Sequence, residues 1–106
     1  MKIDKILVAD DHELILFSIR SILSSRFEIK DENIATFTTS EQVLSTVKNT
    51  LYDLYILDLE LRKLSGFDLI RSIREINKNA RIIICTMHQE IWNVNRLLEM
   101  DIDGII

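Results

Sequence analysis

Asp10 and Asp11 close the first apolar run of the chain, in "KILVADDH", and Asp58 closes another, in "DLYILD". A lone carboxylate against buried apolar residues is expensive unless it is paired or opens into a cleft. No lysine, arginine or histidine stands beside Asp58 until Arg62. If the three acids meet, they repel one another unless a cation sits among them. A hard dication such as Mg²⁺ takes oxygen ligands in octahedral geometry, keeps several waters, and is held by one or two carboxylates plus a phosphate oxygen. An aspartate can also act as a nucleophile and form an acyl phosphate. Asp58, on the stiff end of a central strand, is the best placed of the three for that role. Each acid alone has a plainer use: Asp10 or Asp11 could cap a first helix, and Asp58 could be a loop acid. Their joint placement is what points to chemistry.

Whether they meet depends on the elements that carry them. "KILVA" (5–9), "NIATF" (33–37), "DLYILD" (53–58) and "RIIICT" (81–86) are short apolar runs of strand type, and "DGII" (103–106) opens a fifth. Between them, residues 12–25 carry helical spacing with Ile15, Ile19, Ile22 and Leu23 on one face. "TTSEQVLSTVKN" (38–49) starts with Thr39 and Gln42 at capping-box spacing and continues through Val43, Leu44 and Val47. "GFDLIRSIREIN" (66–77), with Ser65 as its N-cap, buries Leu69, Ile70, Ile73 and Ile76, and "QEIWNVNRLLEM" (89–100) makes a fourth helix. Strands alternating with helices mean βαβ units and a parallel sheet. The expected fold is α/β, a doubly wound parallel sheet in the flavodoxin-like order 2-1-3-4-5. In that order ligands bind beyond the carboxyl ends of the strands where the winding reverses, between strands 1 and 3. Asp10, Asp11 and Asp58 would converge there, with Thr86 on the border.

The chain of 106 residues has a formal net charge of −4, no proline, two glycines and one cysteine, Cys85. It is long enough for one core, so residues 1–106 read as one domain. The charge argues against a nucleic-acid surface. Cys85 cannot form an internal disulfide and reads as a small buried hydrophobe in a reducing compartment. No secretory leader is legible, and no apolar stretch approaches the roughly 20 residues of a membrane span. A soluble, cytoplasmic protein is expected. There is no Walker loop, G-x-G-x-x-G, zinc spacing or Ser/His/Asp set, and "ADDHE" would repel the phosphate of a flavin.

"KILVADDH", "ILDLELRKLSGFDLI" with Gly66 eight residues after Asp58, "RIIICTM" and "MDIDGII" together resemble the receiver domains of bacterial two-component response regulators. "DDH" with "FSIRSIL" is most similar to the LuxR/FixJ type. The resemblance implies that Asp58 accepts a phosphoryl group from a histidine kinase or phosphotransfer protein, as a stoichiometric phosphoacceptor and not an enzyme. It implies that Asp11, Asp58 and the Glu60 main-chain carbonyl ligate Mg²⁺, with Asp10 acting through the metal or its water. Thr86 would contact the phosphoryl group and carry the switch. The output, control of transcription, would need a DNA-binding domain that is absent from this chain. The alternative is a receiver-like interaction module that never carries phosphate.

The sequence departs from the family in several places. The family lysine at the end of strand 5 would fall about two residues after Ile106, and the fifth helix is missing, so the domain reads as C-terminally truncated. Lys63 is expected to face water and not to replace that lysine. Loss of the fifth helix should uncover the sheet beside helix 1, where Leu14 and Phe17 point off the buried face; exposed apolar patches favour association, and a homodimer or other self-association is expected. Arg62 stands where the family usually has proline, and Ile105 where it has an aromatic switch residue. His88, two residues after Thr86, reads as a solvated histidine. His12, next to the acids, could be a metal ligand, but one imidazole beside aspartates is weak evidence and the surface of helix 1 is the expectation. Trp92 is expected to be exposed on helix 4, where a partner surface is the lesser alternative.

Overall fold

The structure, a computed structural model, describes residues 3–58, 66–85 and 102–105. Its elements are β1 (Ile6–Ala9), α1 (Glu13–Arg26), a single 3₁₀ turn (Asp31–Asn33), β2 (Ile34–Phe37), α2 (Ser40–Val47), β3 (Leu54–Leu57), α3 (Gly66–Ile76), β4 (Arg81–Ile84) and β5 (Gly104–Ile105). The strands form one parallel sheet in the order β2-β1-β3-β4-β5, as expected. The helix expected over 89–100, with Trp92, lies outside the described residues, as do Arg62, Lys63, Ser65 and His88.

Every residue of β1 and β3 is buried, because side chains alternate between two covered faces. Leu7, Ala9, Tyr55 and Leu57 pack with Val43 and Val47 of α2 and with Leu69, Ile70 and Ile73 of α3. Ile6, Val8, Leu54 and Ile56 pack on the other face with Leu16 and Leu23 of α1. The continuous apolar runs in the sequence thus serve two cores at once.

Helix phase differs from the sequence reading at two points. In α1 the buried residues are Leu16 and Leu23, one heptad apart, with Ile19 packed beside them; Ile22 is 48% exposed. At 100° per residue the inward stripe runs 16, 19, 23, which turns position 22 outward. In α3 Ile76 is 42% exposed. Asn77 takes the inward position at the end of the helix, where its side-chain amide donates to the Tyr52 carbonyl (3.4 Å). The start of α2 is capped nearly as expected. Thr39 accepts from the Gln42 amide (3.3 Å), but the Gln42 carboxamide oxygen accepts from the Thr38 N–H (3.1 Å), one residue before the cap.

Among the described residues, the sheet beside α1 is open. A groove of about 620 Å³ is lined by Ile19, Ile22, Phe27, Ile29, Leu54, Ile56, Ile83 and Cys85, among others. Leu14 and Phe17 are exposed, as expected, but neither lines the groove. Among the described residues, the open apolar face lies on the Ile22 and Phe27 side of α1.

A carboxylate ties the amino ends of β1 and β3 together. Asp53 accepts the backbone N–H groups of Asp4 and Lys5, each at 2.9 Å. Those two bonds hold its carboxyl below the ordinary aspartate value, because they favour the charged form. A depressed folded-state pKa adds stability above the unfolded value, and that stability is lost as pH falls through the folded one. Asp53→Ala is expected to cost about 1 kcal/mol at neutral pH. The difference should narrow below about pH 4, as read by urea unfolding of both proteins across the acid range.

Candidate functional site

The ladder register decides which acids meet. Ala9 is paired with Leu57 across β1 and β3, so the next residue on each strand, Asp10 and Asp58, leaves the sheet at the same level on neighbouring strands. Their own amides remain in the ladder: Asp58 N–H donates to the Ala9 carbonyl (3.0 Å) and Asp10 N–H to the Phe37 carbonyl (3.1 Å). Sheet hydrogen bonds thus hold both backbones while the side chains emerge past the last strand residue, on strands roughly 4.8 Å apart. Both residues are buried.

Asp11 and His12 complete the cluster because the chain turns there before entering α1. Asp10 Oδ1 accepts the His12 N–H at 2.8 Å, a local side-chain turn of the kind aspartate favours. His12, in extended backbone (φ −101°, ψ 110°), occupies the N-cap position of α1 with no side-chain cap. The capping role considered for Asp10 or Asp11 is therefore not the one the structure gives them. The His12 ring is 62% exposed, as a surface reading requires, but its Nδ1 faces inward. Nδ1 lies 2.8 Å from Asp10 Oδ1, in hydrogen-bond geometry, and 2.8 Å from Asp11 Oδ1. Asp11 Oδ1 is itself buried and makes no hydrogen bond. The hydrogen bond to Asp10 and the charge of Asp11 raise the pKa of His12 above 6.5. The sequence reading considered His12 beside the acids and set it aside for the helix surface; the signal in its favour is an aspartate two residues before an extended residue at a helix start.

Asp10, Asp11, His12 and Asp58 each offer one ligand atom, and these four atoms lie within 4.8 Å of one another. Opposite ligands across an octahedral ion with bonds of about 2.1 Å are roughly 4.2 Å apart, so small side-chain movements suffice to close the set. A buried carboxylate oxygen without a hydrogen bond is a further mark of a position suited to a cation. The donor set fits a hard dication. Cys85 stands next to Leu57 in the ladder, with its N–H donating to the Leu57 carbonyl (2.9 Å). Its thiol is half-buried and free. Burial, followed by the charges of Asp10 and Asp58, pushes its pKa up, consistent with an unreactive packing residue. Glu60 and Thr86 lie outside the described residues.

The pattern of the response regulator receiver domain matches residues 6–106. A nitrate/nitrite response regulator protein homolog of Haemophilus influenzae is 30% identical over 104 residues, 96% of this chain and 48% of its own length. Sporulation initiation phosphotransferase F of Bacillus subtilis is 30% identical over 92% of this chain and 75% of its own. Among solved structures, the isolated receiver domain of RcsB from Salmonella enterica serovar Typhimurium, determined with the phosphomimetic BeF₃⁻, superposes with a TM-score of 0.83. It is 25% identical and matches over 99% of this chain and 77% of its own. The chain spans about half the length of several of the curated relatives it matches. The sheet order, the acids at the ends of β1 and β3, and the match over nearly every residue agree: this chain belongs to the response regulator receiver domain family.

Proposed function

We propose that this domain is a phosphorylation switch in which Asp58 takes a phosphoryl group from a phosphohistidine on a histidine kinase or phosphotransfer protein. The observation that carries this reading is the side-by-side exit of Asp10 and Asp58 from paired strands, with Asp11 beside them. A carboxylate oxygen of Asp58 attacks phosphorus, an O–P bond forms, the P–N bond to the donor imidazole breaks, and the ring nitrogen keeps the electron pair. Asp58 suits the step because its backbone is held by the ladder, which fixes the attacking oxygen at small entropic cost. Asp10 and Asp11 would hold Mg²⁺ with it, and the Glu60 main-chain carbonyl is the proposed further ligand. Bound Mg²⁺ would offset the negative charge of the acids and the incoming phosphoryl oxygens. Thr86, which directly follows the Cys85 neighbour of β3, is proposed to contact the phosphoryl group and move with it. A dianionic group added at this point shifts the balance between two conformations.

Two similar proteins support the reading by what their names state: a phosphotransferase from Bacillus subtilis and a receiver domain seen with a phosphomimetic. RcsB has also been seen bound to a promoter, at 26% identity and a TM-score of 0.86. The proposed output is accordingly transcription, exerted through a DNA-binding domain outside these 106 residues, since a net charge of −4 gives this one no hold on phosphate backbones. Cytoplasmic action is part of the proposal; among the described residues no helix is long and apolar enough to cross a membrane. The test is to incubate the protein with Mg²⁺ and acetyl phosphate and weigh it intact. Gain of one phosphoryl group supports the switch. No gain, together with no binding of BeF₃⁻, supports an interaction module that works without phosphate.

The groove beside α1 bears on association. The proposed cover for that apolar face is a second copy of this chain. Sedimentation velocity is expected to show a mass that rises with concentration, and Ile22→Glu, at a half-exposed groove residue, should weaken that rise. A monomer at every concentration would oppose self-association.

A further inference from the structure

We infer that His12 is a nitrogen ligand at the acid site and turns its preference from Mg²⁺ toward first-row transition dications. This rests on the reading that the acid cluster holds a divalent cation. Three features of the chain carry it. The imidazole Nδ1 is within 2.8 Å of an oxygen of each of two carboxylates, close to the roughly 3 Å that separates neighbouring ligands on an octahedral ion. Its backbone N–H is bound to the same Asp10 oxygen at 2.8 Å, so the ring is tied to the site through the main chain. The side chain as a whole is 62% exposed. With its proton on Nε2, as metal ligation requires, the ring would present the Nδ1 lone pair to the space it shares with Asp10 and Asp11. In the metal-free arrangement Nδ1 is bonded to Asp10, so an ion bound at Nδ1 takes the place of the proton in that bond.

Ligand chemistry sets the consequence. Carboxylates and water suit Mg²⁺, whereas an imidazole adds affinity for transition ions and almost none for Mg²⁺, which dehydrates reluctantly and prefers oxygen. A site of three carboxylates and one imidazole should therefore rank Mn²⁺ above Mg²⁺ by more than an all-oxygen site does. Nitrogen ligation also shows directly in the electron spin-echo modulation of bound Mn²⁺.

The experiment titrates the full 106-residue chain and His12→Ala with Mn²⁺, following free Mn²⁺ by its paramagnetic resonance, and obtains Mg²⁺ affinity by competition. His12 is exposed and caps nothing, so the variant should fold; His12→Gln serves as a second variant. The expected result is a loss of Mn²⁺ affinity of about tenfold, the low end for a partner at a metal site. Mg²⁺ affinity should be unchanged within twofold, and ¹⁴N modulation should be present in the wild type and absent in both variants. Equal losses for the two ions, or no nitrogen modulation in the wild type, would overturn the role of His12 while leaving the acid site standing. If the wild type binds neither ion, the acid site falls and His12 with it.

Discussion

Asp58→Asn protein given Mg²⁺ and acetyl phosphate is expected to remain at its unmodified mass under conditions that label the wild type. The amide keeps the shape of the side chain but removes the anionic oxygen that must attack phosphorus, so labelling should slow by more than about 10³-fold, or roughly 4 kcal/mol of barrier. Folding is not the explanation to fear. Asp58 is joined to the sheet through its backbone, by an N–H bond to the Ala9 carbonyl, and asparagine keeps that bond. Far-ultraviolet circular dichroism and the unfolding midpoint of the variant would confirm that the sheet is intact. Labelling that persists in Asp58→Asn would move the acceptor to another acid and end this assignment.

The second large effect is on stability. Asp10 and Asp58 are buried, and Asp11 brings a third carboxylate, with an unbonded buried oxygen, into the same space. His12 beside Asp10 and Asp11 offsets part of their repulsion; the rest opposes folding until a metal cation joins the acids. An ion that binds only the folded chain stabilises it by RT ln(1 + [L]/Kd), about 2.7 kcal/mol at 100 times Kd. For a domain of this size that corresponds to a rise in Tm of roughly 10 °C or more. Addition of Mg²⁺ should produce such a rise and EDTA should reverse it. Asp11→Asn should behave in the opposite way. Without metal it is expected to be more stable than the wild type by about 1 kcal/mol, since one repelling charge is gone, and Mg²⁺ should add little to it. Thermal unfolding of both proteins with and without Mg²⁺ decides the matter; a wild type indifferent to the ion would contradict the metal site.

Much of this was legible from residue order. The runs around Leu7 and Tyr55 had to be strands buried on both faces, because they carry too little polar spacing to face water on either side. The run around Ile82 is also a strand, but one face of it, at Ile83, borders the open groove. Thr39 and Gln42 marked the start of α2, although the glutamine reaches back to Thr38 and not to the cap itself. Helix phase was harder to read. Ile22 and Ile76 belong by type to the apolar stripes, yet both are exposed, because a helix rich in isoleucine and leucine offers several nearly equivalent inward faces. Which one is buried depends on the sheet residues it meets. The direction of His12 Nδ1 was not legible at all, since it follows from the turn that Asp10 makes with the His12 amide.

The order of strands and helices, and the placement of an acid at the end of two strands, were determined by the sequence alone, through local hydrophobic pattern and length. What tertiary structure decided was adjacency. Only the pairing of Ala9 with Leu57 sets Asp10 beside Asp58, and a slip of one residue would have turned one side chain to the opposite face. Strand register and the orientation of a ring at a helix start are non-local: they arise from hydrogen bonds and packing between segments far apart in the chain, which no local run of residues contains.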